Sequence, residues 1–373
     1  MAVVLQEITT MKTANRLLYL DWVRGLAALI MLQGHVFHSF LKDDLRANGP
    51  YVFSQFLGGM PPAIFLFLTG ATLSFLMDSQ ERKNLPVLQR WTGAARRAGY
   101  LFTVAFAFRI QLWLFTVWFS PGTNAPWTEL LKVDILNCMG FGIASLAVLA
   151  MVPTRLRIWA ASATGVAIAM VSPLITQNGL SGLPPLLRDY LMPNVNFFSF
   201  FPWAAFIAFG VAFGSAIRAY PRDRMTSLMQ GMALIGLACA FGVNAIHSFG
   251  PTIYAKSDFW LDGPTLIFIK AGVVLMLVAF AFAWLSHAQA QSWSWIRQLG
   301  TTSLLVYWVH IELVYGHWLG WMKNNLTVSQ TLLVSAAIVA LMVALSYIRT
   351  SWSQWKQTLG GLGAPAPQRV SGD

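Results

Sequence analysis

Residues 16–41 read RLLYLDWVRGLAALIMLQGHVFHSFL. The stretch from Leu17 to Leu41 is long enough to cross a bilayer as a helix, for which about 20 residues suffice. It nevertheless carries Asp21, Arg24, His35 and His38. An ionisable side chain at the centre of a span costs about 2.5 kcal/mol or more on insertion scales, so it needs a partner or a polar cavity. Arg24 and His35 are separated by three helical turns plus about 20°, and by about 16 Å along the axis. Asp21 precedes Arg24 by one turn and His38 follows His35 by one turn, so the four share one stripe. A polar stripe along most of a membrane helix reads as the wall of a passage or reaction chamber. The alternative is a structural Asp21–Arg24 pair with two satisfied interior histidines.

The rest of the chain supports a membrane setting. Of 373 residues, 56% are hydrophobic and 10% are charged, against about 25% charged in soluble domains. Too few charges remain to cover a water-exposed surface. The net charge of +11 has a topological cause, because cytoplasmic loops collect Lys and Arg; nucleic acid is not an expected partner. Cys138 and Cys239 lie far apart in apolar stretches and read as small buried side chains. No Cys/His spacing suggests a metal site. No cleavable signal peptide is expected, with Glu7 and Lys12 ahead of the first apolar run.

Ten apolar runs are candidate spans: 17–41, 52–77, 98–119, 131–152, 156–175, 197–217, 226–248, 264–286, 300–321 and 326–348. With the N-terminus inside, sixteen of the 25 Lys and Arg fall in inside segments, six fall outside and three lie within spans. That bias predicts an even number of spans with both termini cytoplasmic. The expected fold class is all-α: a polytopic integral membrane bundle of about ten transmembrane helices. Residues 1–16 form a cytoplasmic tail, 17–348 the transmembrane domain and 349–373 a disordered cytoplasmic tail. Gly210 and Gly214 form a G-x-x-x-G pair that predicts close helix packing. Asp134 and Lys270 are expected at similar depth and could pair across helices. His310 and Glu312, two residues apart, should face different ways.

The segment RLLYLDWVRGLAALIMLQGH, Arg16 to His35, resembles the opening of the transmembrane acyltransferase superfamily, which includes the catalytic domain of heparan-α-glucosaminide N-acetyltransferase and the acyltransferase-3 proteins. The shared features are Leu-Asp-x-x-Arg-Gly-x-Ala and an Arg-x10-His spacing, here Arg24 and His35. PPAIFLFLTGATLSF (61–75), KVDILNCMGFGIA (132–144), FFPWAAFIAFGVAFG (200–214) and LGTTSLLVYWVHIELVYG (299–316) are similar to later family helices and follow in order. The heparan-type branch fits better, through Pro202-Trp203 and Ile135-Leu136. Position 137 departs from the pattern, carrying Asn137 where many relatives have His or Gln.

The resemblance implies an enzyme that moves an acyl group, usually acetyl, from cytosolic acyl-CoA to an amine or hydroxyl of a sugar or glycan. It implies His35 as general base or covalent acyl carrier, and Arg24 as a ligand of the donor with Asp21 as its ion-pair partner. Secondary candidates are His310, Asn137, Asp134 and Arg109. Polyanionic CoA suits Arg24 and the basic cluster holding Arg90, Arg96 and Arg97, because guanidinium binds phosphate bidentately. The implied partners are the lipid bilayer, acyl-CoA and a sugar acceptor, with a homodimer left open. The implied location is a bacterial cytoplasmic membrane. The competing reading is a proton-coupled transporter or exporter of a small solute or glycan, with the Asp21–His38 stripe as a proton relay.

Overall fold

The computed structural model describes residues 17–119, 127–243, 245, 254–287 and 292–362. Residues 1–16, 120–126, 244, 246–253, 288–291 and 363–373 lie outside the described residues, including the whole expected N-terminal tail and the last eleven residues of the C-terminal one. The principal helices are α1 (Leu18–Phe40), α2 (Gly49–Gly58), α3 (Pro61–Arg82), α4 (Val87–Phe119), α5 (Ile135–Leu146), α6 (Thr154–Asn178), α7 (Pro185–Leu191), α8 (Phe200–Ala219), α9 (Met225–Leu237), α10 (Pro264–His287), α11 (Trp295–Thr301), α12 (Ser303–Tyr315) and α13 (Val328–Leu362). No strand occurs among the described residues; the one extended contact is an isolated bridge between Leu41 and Leu326.

Proline marks many helix starts. Pro61, Pro185 and Pro264 open α3, α7 and α10, while Pro86 and Pro153 immediately precede α4 and α6. The first helical turn tolerates a missing N–H, and the ring fixes φ near the helical value.

Among the described residues, seven helical segments are long and apolar enough to cross a membrane: Gly49–Arg82, Val87–Phe119, Thr154–Asn178, Phe200–Ala219, Arg222–Gly242, Pro264–His287 and Val328–Trp352. They correspond to seven of the ten apolar runs. The other three runs are also helical but fall outside this group. α1 is long enough but carries Asp21, Arg24, Gln33 and two histidines. The segments Ile135–Met151 and Ser303–Tyr315 are shorter apolar helices. At 1.5 Å per residue, a helix the length of α12 reaches only about 20 Å. α13 continues as helix to Leu362, beyond the boundary at 348 expected from hydropathy.

α1 is surrounded by α2, α3, α10, α11, α12 and α13, which explains how it buries a polar stripe. The closest approaches use glycine. A methyl at Gly25 would collide with the Ile296 carbonyl, and one at Gly300 with the Asp21 carbonyl, so α1 and α11 touch backbone to backbone. The G-x-x-x-G pair does the same between α8 and α3: Gly210 faces the Phe67 carbonyl, Gly214 faces Ala71 and Ser74, and Gly70 faces the Ile207 carbonyl. Without a hydrophobic force between helices in lipid, such close contact is a main source of packing energy.

One end of the bundle is tied by charge. Arg157 is fully buried. It donates to Glu81 Oε2 at 2.8 Å, Leu149 O at 3.0 Å and Val152 O at 2.7 Å. Glu81 also accepts from the Thr154 hydroxyl at 2.8 Å. Asp78 pairs with Arg82 at 2.9 Å.

Gly210→Val should lower the thermal stability of the detergent-solubilised protein by about 1–3 kcal/mol, the usual cost of overpacking. Gly231→Ala, where an added methyl meets nothing within 4 Å, should leave it unchanged or slightly raised. Equal melting temperatures for Gly210→Val and the parent would contradict the tight α3–α8 crossing.

Candidate functional site

α1, α3, α4, α5 and α12 enclose a cavity of about 910 Å³. Arg24 and His35 both line it, so their shared face of α1 looks into a hollow rather than toward lipid. Arg97, Arg109 and Asp134 line the same space. Asp21 is buried beside it and pairs with Arg24 at 3.2 Å.

His35 Nδ1 lies 2.9 Å from His310 Nε2. The rings are nearly parallel, with centroids 5.2 Å apart. His310 is fully buried, and its Nδ1 is 2.7 Å from the Val306 carbonyl. A carbonyl only accepts, so the neutral His310 ring carries its proton on Nδ1. Its Nε2 then has the lone pair and must accept from His35 Nδ1–H. That leaves the lone pair of His35 on Nε2. The dyad thus fixes one tautomer of the residue that faces the cavity. The Tyr315 ring sits edge-on to His35 at 5.3 Å, and its hydroxyl is 3.1 Å from Nδ1 of exposed His38.

A second polar group stands on α4 and α5. Asp134 caps α5, its Oδ1 accepting from the Asn137 backbone N–H at 3.0 Å and the Asn137 side-chain amide at 3.1 Å. Asn137 Oδ1 in turn accepts from the Tyr190 hydroxyl at 3.1 Å. Burial and the charge of Asp134 push the Tyr190 hydroxyl up to about 12, so it remains a donor at neutral pH. Asp134 Oδ2 lies 3.3 Å from Arg109 Nε. The expected Asp134–Lys270 pairing is therefore replaced by Asp134–Arg109, because Arg109 on α4 points at the N-terminus of α5. Lys270 instead sits over the Trp203 ring at 5.2 Å.

The other expected residues separate. Arg97 lines the cavity; Arg96 is exposed and Arg90 is buried 3.9 Å from Glu81, and neither is part of the lining. Arg90 is held in the ionic cluster at the α3–α6 end. Asn137 acts on the site through Asp134, since it is buried and outside the lining. Glu312 turns away from His310, as the spacing requires, and accepts from Trp318 Nε1 at 3.1 Å. Tyr307 and Tyr315 line the cavity but were not among the sequence candidates, although both lie in the 299–316 stretch that resembles a late family helix.

The model of the heparan-α-glucosaminide N-acetyltransferase catalytic family matches residues 16–249, and the chain belongs to that family. No curated protein matches it. The matched region contains Arg24, His35, Arg109 and Asp134 and ends before His310. Family and helices together describe a multi-pass membrane protein of acetyltransferase type.

The hydrogen-bond chain makes a spectroscopic prediction. In ¹⁵N-histidine NMR, His35 should appear as the neutral Nδ1–H tautomer in the parent. His310→Ala should release it toward the Nε2–H form that free imidazole prefers. An Nε2–H form already present in the parent would contradict the chain.

Proposed function

We propose that the chain transfers an acetyl group from cytosolic acetyl-CoA to a hydroxyl or amine of a sugar-type acceptor, within the cavity beside His35. The observation that carries this reading is that Arg24 and His35, whose lone pair the dyad leaves on Nε2, line one hollow, on a chain whose family is named for N-acetyl transfer to a glucosaminide.

The chemistry follows from the lone pair. As the acceptor oxygen or nitrogen attacks the thioester carbonyl, its proton passes to His35 Nε2. The carbon–sulfur bond breaks and the CoA thiolate leaves. The imidazolium then returns the proton to the thiolate, and both groups are reset. His310 orients the ring and accepts from Nδ1–H, a role analogous to the buried hydrogen-bond partner of a catalytic histidine. The same lone pair can instead attack the thioester and carry the acetyl group as an acyl-imidazole.

The donor end is electrostatic. Arg24 and Arg97 line the cavity where α1 begins and in the first third of α4. Guanidinium groups there suit the phosphates of CoA. With the N-terminus cytoplasmic, as loop charge indicates, that end faces the cytosol and the His35 end lies toward the far side. The location proposed is the cytoplasmic membrane of a bacterium.

His35→Ala, inserted at parental level, should lose acetyl transfer from labelled acetyl-CoA by about 10²–10⁴-fold, the usual worth of a general base. Arg24→Gln alone removes the cation facing buried Asp21 and should lower insertion or stability. The double variant Asp21→Asn/Arg24→Gln should therefore insert better than the single one and still show a raised KM for acetyl-CoA. Parental transfer by His35→Ala would remove His35 from the mechanism.

A further inference from the structure

Side chains join α4 to α12 along their outer halves. Phe108 packs on Tyr307 and Trp308, with centroids 5.6 and 5.2 Å apart, and the Trp308 indole N–H donates to Gln111 Oε1. Toward the cytoplasm the same two faces separate. Arg97, Tyr100 and Leu101 on α4 and Ser303 and Leu304 on α12 all line the cavity. Among the described residues, no hydrogen bond, ion pair or ring contact joins the first three to the last two. No described helix packs closely against both α4 and α12: the helical neighbours of α4 are α3 and α5, and those of α12 are α1, α11 and α13. Tyr100 lines the cavity and is also 54% exposed. The hollow therefore opens sideways, through a slot between α4 and α12.

The slot has the depth of one leaflet. From Arg97 to Phe108, α4 rises about 16 Å, and half of the hydrocarbon core is about 15 Å. With the N-terminus cytoplasmic, as loop charge indicates, Arg97 stands at the headgroup level of the cytoplasmic leaflet. The contact of Phe108 with Tyr307 and Trp308 closes the slot near the bilayer midplane. The chemistry is graded the same way. Arg97 is exposed and makes no ion pair among the described residues. Tyr100, one turn deeper, puts an amphipathic ring at the interface. Leu101, Leu304 and Phe108 below it are apolar. Arg24, on α1, keeps its pair with Asp21 at 3.2 Å. A free cation on the rim above apolar walls complements a phosphate that carries a hydrocarbon chain. Basic pockets between membrane helices on the cytoplasmic side hold anionic headgroups in this way.

We infer that the slot between α4 and α12 binds an anionic phospholipid of the cytoplasmic leaflet, with its phosphate on Arg97 and one acyl chain laid between the two helices into the cavity. This lipid site goes beyond the proposed acetyl transfer and does not depend on it. It shares Arg97 with the proposed donor end, so lipid and CoA phosphates exclude one another there.

The test uses the full chain in phosphatidylcholine nanodiscs carrying a trace of phosphatidylglycerol with a photoactivatable diazirine at one chain end. After illumination, the labelled peptides are mapped by mass spectrometry. The label should fall on the cavity-facing positions of 101–112 and 304–311. Arg97→Gln, a change at an exposed side chain without an ion pair, should cut that labelling about fivefold, the worth of one basic residue at a membrane surface. Arg96→Gln, on the same turn but outside the cavity lining, should leave it unchanged. The same probe with a choline headgroup should label the slot no more than the glycerol probe labels Arg97→Gln. Label confined to exposed Ile110 and Leu114 would mean surrounding lipid only and overturns the site. Equal losses in Arg96→Gln and Arg97→Gln, or equal labelling by the two headgroups, overturn it as well. Excess acetyl-CoA should compete with the label; labelling that needs Arg97 but ignores acetyl-CoA keeps the lipid site and removes the donor from Arg97.

Discussion

The hydrogen bond between His35 and His310 organises the centre of this molecule. Two imidazoles 2.9 Å apart admit several protonation patterns. The Val306 carbonyl behind His310 leaves one neutral arrangement. A backbone carbonyl in a helix is a fixed acceptor, so the selection does not depend on a second titrating group. The edge of His35 that is left unprotonated is therefore set by the geometry of α12, an element distant in sequence from α1. This is also why α12 must pack directly on α1. The backbone-close contacts of Gly25 and Gly300 between α1 and α11, immediately ahead of α12, hold that register.

Three arginines set into the bundle each have a carboxylate partner, as a low-dielectric interior favours. Arg24 has Asp21, Arg109 has Asp134, and Arg157 has Glu81 with two carbonyls. The pairs differ in consequence. Arg157 is closed off entirely and serves to join α3 to α6. Arg24 and Arg109 keep one side on the cavity. Burial alone does not separate a structural pair from one positioned for a ligand; access to the hollow does.

Much of this was legible in the chain. Helical spacing placed Arg24 and His35 on one face, and the structure turns that face inward. The apolar runs are all helical, although three of them are too polar or too short to count as spans by length and apolarity. The pairings were less legible. Asp134 was matched with Lys270 from depth alone, whereas the direction of α4 brings Arg109 to it. Arg90, Arg96 and Arg97 looked alike as a basic cluster. Arg96 points about 100° away from Arg97, and Arg90, on nearly the same face as Arg97, lies about 10 Å further toward the Glu81 cluster; of the three, Arg97 alone lines the cavity. His310 is the clearest case: its closeness to His35 spans 275 residues, a contact that no local pattern encodes.

The same geometry bears on the transporter alternative. A relay must accept a proton at one end and release it at the other, which needs consecutive groups that can each exchange roles. From His35 the chain runs to His310 and then to the Val306 amide carbonyl. An amide oxygen is far too weak a base to take the proton onward. Asp21, the other terminus of the stripe, pairs with Arg24, about three to four turns from His35 along α1. Through the dyad, a proton arriving at His35 Nε2 is therefore passed no further than His310. That behaviour suits a base that borrows a proton from an attacking group and returns it to a leaving one.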